Sequence, residues 1–190
     1  MTKEERIRDF WKVLEDNYNV TLDASVGLIT RNDKLIKYLE NDGFFTAPAS
    51  TKYHGAYEGG LYDHSKAVTE RLLWLTDRLD LKWDRTISPF IVGMFHDLCK
   101  CDQYAVTGEE NGKILYAYNN KLLIKGHGAK SVMILSQFMS LTEQEMLAIR
   151  YHMGPYETED WESYDLAIRK YDTTLWANAA DMAASKVDGL

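Results

Sequence analysis

Cysteine is nearly absent from this sequence: two thiols, Cys99 and Cys101, stand one residue apart. That separation excludes an ordinary disulfide, and two thiols are too few for a zinc knuckle. They read as reduced packing residues, which suits a cytoplasmic protein. Proline is scarce as well, at positions 48, 89 and 155, so long stretches are free to be helical. No apolar run approaches the roughly 20 residues of a membrane span. The start, Met1-Thr2-Lys3-Glu4-Glu5-Arg6, passes into a charged amphipathic pattern rather than a signal peptide. Positive charge is in deficit: Lys+Arg is 22 against Asp+Glu 29, a formal net charge of -7. Such a surface repels a phosphate backbone and argues against duplex nucleic acid as a partner. A small phosphorylated ligand could still be held at a local positive site, where bound metal would supply much of the charge.

What remains is an ordinary globular composition, 45% hydrophobic and 27% charged over 190 residues. That length suits one domain, 1–190, able to bury a core without covalent staples. The periodicity predicts an all-α body. Residues 3 to about 17 set Ile7, Phe10, Trp11 and Leu14 on one stripe behind a Thr2/Glu5 capping box. A short helix follows from Asp33 to Glu40, stopped by Asn41-Asp42-Gly43. Residues 1–43 therefore form a helical extension packed on the core. The segment from Phe44 to Gly60 reads as an ordered loop. A long helix then runs from Leu61 to about Leu81, with Val68, Leu72, Leu75 and Leu79 repeating at helical spacing. Ser88 and Pro89 supply an N-cap and first-turn pair for a central helix, Phe90 to about Lys100. Residues 113–124 break the pattern and suggest a small β-hairpin turning at Asn119-Asn120. Helices resume from about Ala129 to Met139. Another starts at Thr142 behind a Glu145 capping box and closes at Gly154-Pro155, and a last one covers about Asp172 to Lys186.

The five histidines fall at 54, 64, 96, 127 and 152. Four of them, with Asp97 and Asp181, sit on or at the start of separate expected helices, about thirty residues apart, roughly one helix plus its connection. One side chain per helix can then reach a shared centre, a recognised way to build a site inside a bundle. His64 is in register with Val68, Leu72 and Leu75. His96 lies four after Val92, Asp97 three after Met94, and His152 follows Ala148 and Ile149. Asp181 stands among Ala177, Ala179, Ala180, Ala183 and Ala184, where another helix can come close. Buried imidazoles and carboxylates need a partner or a metal to offset desolvation. The dipeptide His96-Asp97 is weak evidence by itself, since Asp63-His64 shows the reverse pair. The weight rests on the order His, His-Asp, His, His, Asp and on the helical faces.

Five segments carry a resemblance: Gly59-Gly60-Leu61-Tyr62-Asp63-His64-Ser65, His96-Asp97-Leu98-Cys99-Lys100, Gly126-His127-Gly128-Ala129-Lys130-Ser131, Ile149-Arg150-Tyr151-His152-Met153-Gly154 and Ala180-Asp181-Met182. From about Phe44 to Ala184 the sequence resembles the HD superfamily of metal-dependent phosphohydrolases. The resemblance implies an HD-type helical bundle and a phosphoester substrate, a nucleotide or oligonucleotide. It implies His64, His96, Asp97 and Asp181 as ligands of a first metal. His127 and His152 would complete a two-metal site bridged by Asp97. A two-metal phosphodiesterase is thereby favoured over a one-metal nucleotidase. One or two divalent ions are expected, Mn, Fe, Co, Ni or Zn, with Mg disfavoured because imidazoles fit its oxygen preference poorly. Metal would activate water and polarise a phosphoryl oxygen. Lys100 and Lys130 would stabilise charge on the phosphate, and His54 would enter from its loop as proton donor or substrate contact. Tyr116, Tyr118, Tyr151 and Tyr156 either line a base pocket or pack. Glu109 and Glu110 read as a solvated loop. Two competing readings stand beside the enzyme. One is a non-catalytic HD module that binds a nucleotide or metal for regulation, and the other is a structural helical protein whose histidines fill the core.

Overall fold

A computed structural model describes residues 1–154 and 161–190. The body is helical, with one two-stranded antiparallel sheet. In chain order the elements are α1 (Lys3–Asn17), α2 (Gly27–Thr30), α3 (Asp33–Asn41), α4 (Gly60–Leu79), α5 (Ser88–Phe95), β1 (Tyr104–Glu110), β2 (Lys113–Tyr118), α6 (Gly128–Leu135), α7 (Glu143–Arg150), α8 (Trp161–Lys170) and α9 (Thr173–Ala183). A 3₁₀ turn, Leu98–Cys101, follows α5, and a π-helical turn, Ala184–Asp188, extends α9. Among the described residues no helix is long and apolar enough to cross a membrane.

One cluster of buried side chains runs from Phe10 on α1 to Ala184 beyond α9. α5 is its axis, buried from Ser88 through Phe95. The expected extension docks here: the Phe10 ring lies 5.7 Å from Phe90 and 6.3 Å from Phe95, centroid to centroid. Polar contacts fix its register. Arg6, 4% exposed, donates to Asp63 Oδ1 at 3.1 Å and to the Glu58 carbonyl at 3.0 Å. Asp63 thus faces α1, while its neighbour His64, about 100° further round α4, meets Leu190 and Asp181 instead.

Both expected capping boxes form. Glu5 N–H donates to Thr2 Oγ1 at 3.2 Å and Glu145 N–H to Thr142 Oγ1 at 3.2 Å, with reciprocal carboxylate contacts. Glu145 does more than cap. Its carboxylate is fully buried and also accepts from Ser88 Oγ at 2.7 Å, with Arg85 at 3.5 Å. The starts of α5 and α7 are therefore bolted side by side, and His96 and His152, just past their far ends, come together with ring centroids 4.7 Å apart.

Several expectations shift. Ser88 is the first helical residue rather than the N-cap: Ile87 caps α5, and the Ser88 hydroxyl is spent on Glu145. The central helix stops at Phe95, not near Lys100, because Asp97 adopts φ -109 and ψ 22 and the chain tightens into the 3₁₀ turn. α4 ends at Leu79 rather than near Leu81, because Asp80 turns left-handed, and Leu79 is 45% exposed. The hairpin lies at 104–118 instead of 113–124. Its turn is Asn111-Gly112, whose φ values of 51° and 75° make the type I′ geometry that suits right-twisted strands. Asn119-Asn120 follows β2, and Lys121 to Ile124 is not a strand. Glu109 and Glu110 are exposed strand residues of β1, not a loop. Helices α2 and α8 carry no expectation. Pro155 and Tyr156 lie outside the described residues.

Candidate metal centre

Three histidines reach one place by the same device. His96 Nδ1 donates to the Gly93 carbonyl at 2.8 Å, His152 Nδ1 to the Ile149 carbonyl at 2.8 Å, and His64 Nδ1 to the Leu190 carbonyl at 3.0 Å. Each bond fixes a tautomer with a bare Nε2, the usual outer-shell support of a metal-ligating imidazole. All three Nε2 atoms point at Asp97 in the turn after α5. His96 lies 3.3 Å and His64 3.7 Å from Asp97 Oδ2, and His152 lies 3.5 Å from Oδ1. Asp181 on α9 completes the set, its Oδ1 at 3.0 Å from His64 Nε2 and 3.9 Å from His96 Nε2. The His64 and His96 Nε2 atoms stand 3.3 Å apart. Tetrahedral coordination at metal–ligand lengths near 2.0–2.1 Å puts donor atoms about 3.3 Å apart. The spacings fit a divalent ion. Imidazole nitrogens with carboxylate oxygens also suit the transition metals better than Mg.

The site is buried and its charges are interlocked. His64, His96, Asp97 and His152 are at most 2% exposed and Asp181 is 9% exposed. His152 Nε2 has no hydrogen-bond partner among the described residues. Lys100, 6% exposed, puts Nζ 2.6 Å from Asp97 Oδ2. Burial opposes ionisation of Asp97, but Lys100 and the imidazoles outweigh it and hold the carboxyl well below its usual range. Asp181 is likewise held low: burial is outweighed by the His64 contact and the neighbouring imidazoles. Burial pushes His96 down. For His152 the same penalty is overcome by Asp97, which raises it. Lys100 stays charged because Asp97 outweighs its burial.

The other expected site residues lie around this core. His127, half-buried at the start of α6, sets Nδ1 3.7 Å from Cys99 Sγ; Asp97, Cys99 and His127 offer donor atoms within 4.8 Å of one another. A cavity of about 280 Å³ opens against His127, lined also by Gln103, Tyr118 and Asn119. Of the expected base-pocket tyrosines, Tyr118 lines this cavity, whereas Tyr151 packs on Tyr164. Lys130 is buried and paired with Asp102 at 2.5 Å, so its ammonium is already engaged. The His54 ring lies tilted beside His64, centroids 5.3 Å apart. Burial, then the charges of His64 and Lys100, push its pKa down to about 4. At neutral pH it is an uncharged imidazole, able to orient a ligand but holding no extra proton to give. In the metal-free protein its ring C–H resonances should titrate near 4 by NMR; a midpoint near the ordinary 6.5 would place it in open water.

No family model, curated protein or solved structure matches the chain. The geometry speaks alone.

Residues outside the sequence expectation also serve the centre. Asn178, one turn before Asp181 on α9, donates to the His152 carbonyl at 2.6 Å and so ties the His152 turn to α9. Its i, i+3 spacing to Asp181 was the available signal. Cys99, expected only to pack, is fully buried and also places Sγ 3.8 Å from Asp97 Oδ1.

Proposed function

We propose that this chain is an HD-type, metal-dependent phosphohydrolase that cleaves a phosphoester, with a nucleotide or oligonucleotide as substrate class. The observation that carries the reading is the convergence of three buried, backbone-oriented Nε2 atoms on one carboxylate. So many imidazoles and carboxylates are costly to bury together as core filler, which disfavours the purely structural alternative. The helical body with its hairpin is compatible with the HD-type bundle.

His64, His96, Asp97 and Asp181 would hold one divalent ion, and Asp97 with His127 and His152 a second. When bound, such metal supplies a nucleophile from water at neutral pH and polarises a phosphoryl oxygen. The chain's own groups do the rest. Asp97 bridges the two donor sets through its two oxygens. The Nδ1 contacts keep the imidazoles aimed without reorganisation. Lys100, held in its charged form, offsets negative charge beside Asp97 and can meet charge growing on a phosphate.

Metal content per chain, measured by elemental mass spectrometry, tests the reading first. About two ions are expected in the wild type and fewer in His152→Ala. Hydrolysis of bis(p-nitrophenyl) phosphate and of nucleoside monophosphates with Mn²⁺ should then be detectable and lost in Asp97→Ala. Wild-type protein that takes up no Mn²⁺, Zn²⁺ or Co²⁺ would overturn the proposal.

A further inference from the structure

The two oxygens of Asp97 face different company. Oδ2 looks toward His64, His96 and Lys100. Oδ1 looks toward His152 at 3.5 Å and Cys99 Sγ at 3.8 Å. Cys99 Sγ also lies 3.7 Å from His127 Nδ1. A tetrahedral ion with a metal–sulfur length near 2.3 Å and metal–nitrogen or metal–oxygen lengths near 2.0–2.1 Å separates sulfur from its co-ligands by about 3.6 Å. Both sulfur contacts match that edge, and the His152–Asp97 contact matches the shorter edge between nitrogen and oxygen.

The thiol's position is fixed rather than incidental. Cys99 N–H donates to Ser131 Oγ at 3.0 Å, and Ser131 N–H donates to the His127 carbonyl at 3.0 Å. The turn bearing Cys99 and the start of α6 bearing His127 are thus held in register. A second sign of a ligand comes from His152, whose buried Nε2 lies 3.5 Å from Asp97 Oδ1 and has no hydrogen-bond partner among the described residues.

We propose that Cys99 is a thiolate ligand of the second metal subsite, which with His127, His152 and Asp97 Oδ1 takes one borderline-soft divalent ion such as zinc, cobalt or iron. The thiol proton leaves to solvent as the metal–sulfur bond forms. The two subsites are then chemically unlike, one built from nitrogen and oxygen donors and the other including sulfur. Mg²⁺ and Ca²⁺, which seek oxygen, are excluded from the sulfur-containing one. This assignment rests on the metal reading above.

Cobalt substitution tests it without any substrate. Titrating the apoprotein with Co²⁺ should give visible d–d bands, and a thiolate-to-cobalt charge-transfer band in the near ultraviolet should grow with the second equivalent. Cys99→Ser should lose that band and keep the first equivalent; Cys101→Ser should keep both. Weakening of the second zinc equivalent in Cys99→Ser should exceed the roughly 10–100-fold that removal of an outer-shell partner costs. Should Cys99→Ser not fold, X-ray absorption of the wild type with two zinc ions should show a sulfur neighbour at about 2.3 Å. Two bound cobalt ions with no thiolate band, or a band surviving Cys99→Ser, would overturn the Cys99 assignment and leave the histidine–aspartate centre standing. Failure to bind any cobalt would overturn both.

Discussion

Asp97→Ala is expected to strip the centre of metal and to destabilise the metal-free protein by about 3–5 kcal/mol at neutral pH. The two effects have separate causes. Metal is lost because Asp97 touches both donor sets, so no other single substitution removes an oxygen from each. Stability is lost because the Lys100 ammonium, 6% exposed and 2.6 Å from Asp97 Oδ2, would be left buried without its counter-charge. A urea midpoint and a metal assay read the two losses. Combining Asp97→Ala with Lys100→Met should recover part of the stability and none of the metal, since an apolar isostere removes the stranded charge. An unchanged midpoint in the single variant would mean that the ion pair is not buried in solution. The sign of the pH dependence follows from the same pair. Asp97 is held below its ordinary range, so the folded chain takes up its proton less readily than the unfolded one. Its contribution is complete above about pH 4 and fades as the pH falls further.

How much of this was legible in the sequence depends on how local the cause was. Thr2 and Thr142 announced α1 and α7 because a capping box is complete within four residues. The inward faces of His64 and Asp181 followed from helical spacing to Val68, Leu72, Ala177 and Ala184, which are indeed buried. The hairpin was misplaced although its signal was present. Asn111-Gly112 is the strongest two-residue turn pattern, but Thr107-Gly108-Glu109-Glu110 before it reads as polar loop because neither face of β1 is buried. The break between α5 and the 3₁₀ turn was invisible, since nothing in Phe95-His96-Asp97-Leu98 opposes a helix. It arises from packing, where the turn bearing Lys100 and Cys99 must meet α6 through Ser131. The roles of Cys99 and Asn178 were hidden for the same reason, as each acts on a residue distant in the chain. The resemblance implied Lys130 as a phosphate contact; the partner it meets, Asp102, sits in a different turn.

Gly93→Ala is expected to weaken metal binding although it substitutes none of the proposed ligands. α4 and α5 approach so closely at this point that a Cβ on Gly93 would stand 2.6 Å from Thr69 Cα and 3.0 Å from Thr69 N. Those atoms are backbone, so no side-chain rotation relieves the clash and the helices must part. Overpacking of this kind costs about 1–3 kcal/mol, against which the better helix propensity of alanine returns up to about 1 kcal/mol. The clash wins. The displacement is aimed at the site: Thr69 lies on the helix of His64, and Gly93 precedes His96 by one turn and supplies the carbonyl that orients its ring. Parting the helices opens the 3.3 Å separation of the two Nε2 atoms and disturbs that contact. Zinc affinity should therefore fall by roughly 10–100-fold, the range for lost outer-shell support. Competition with a chromophoric chelator measures the affinity, and a denaturant midpoint measures the stability. A variant that is less stable yet binds zinc as tightly as the wild type would show that the ligands are positioned by their own turns, and that the α4–α5 contact serves stability alone.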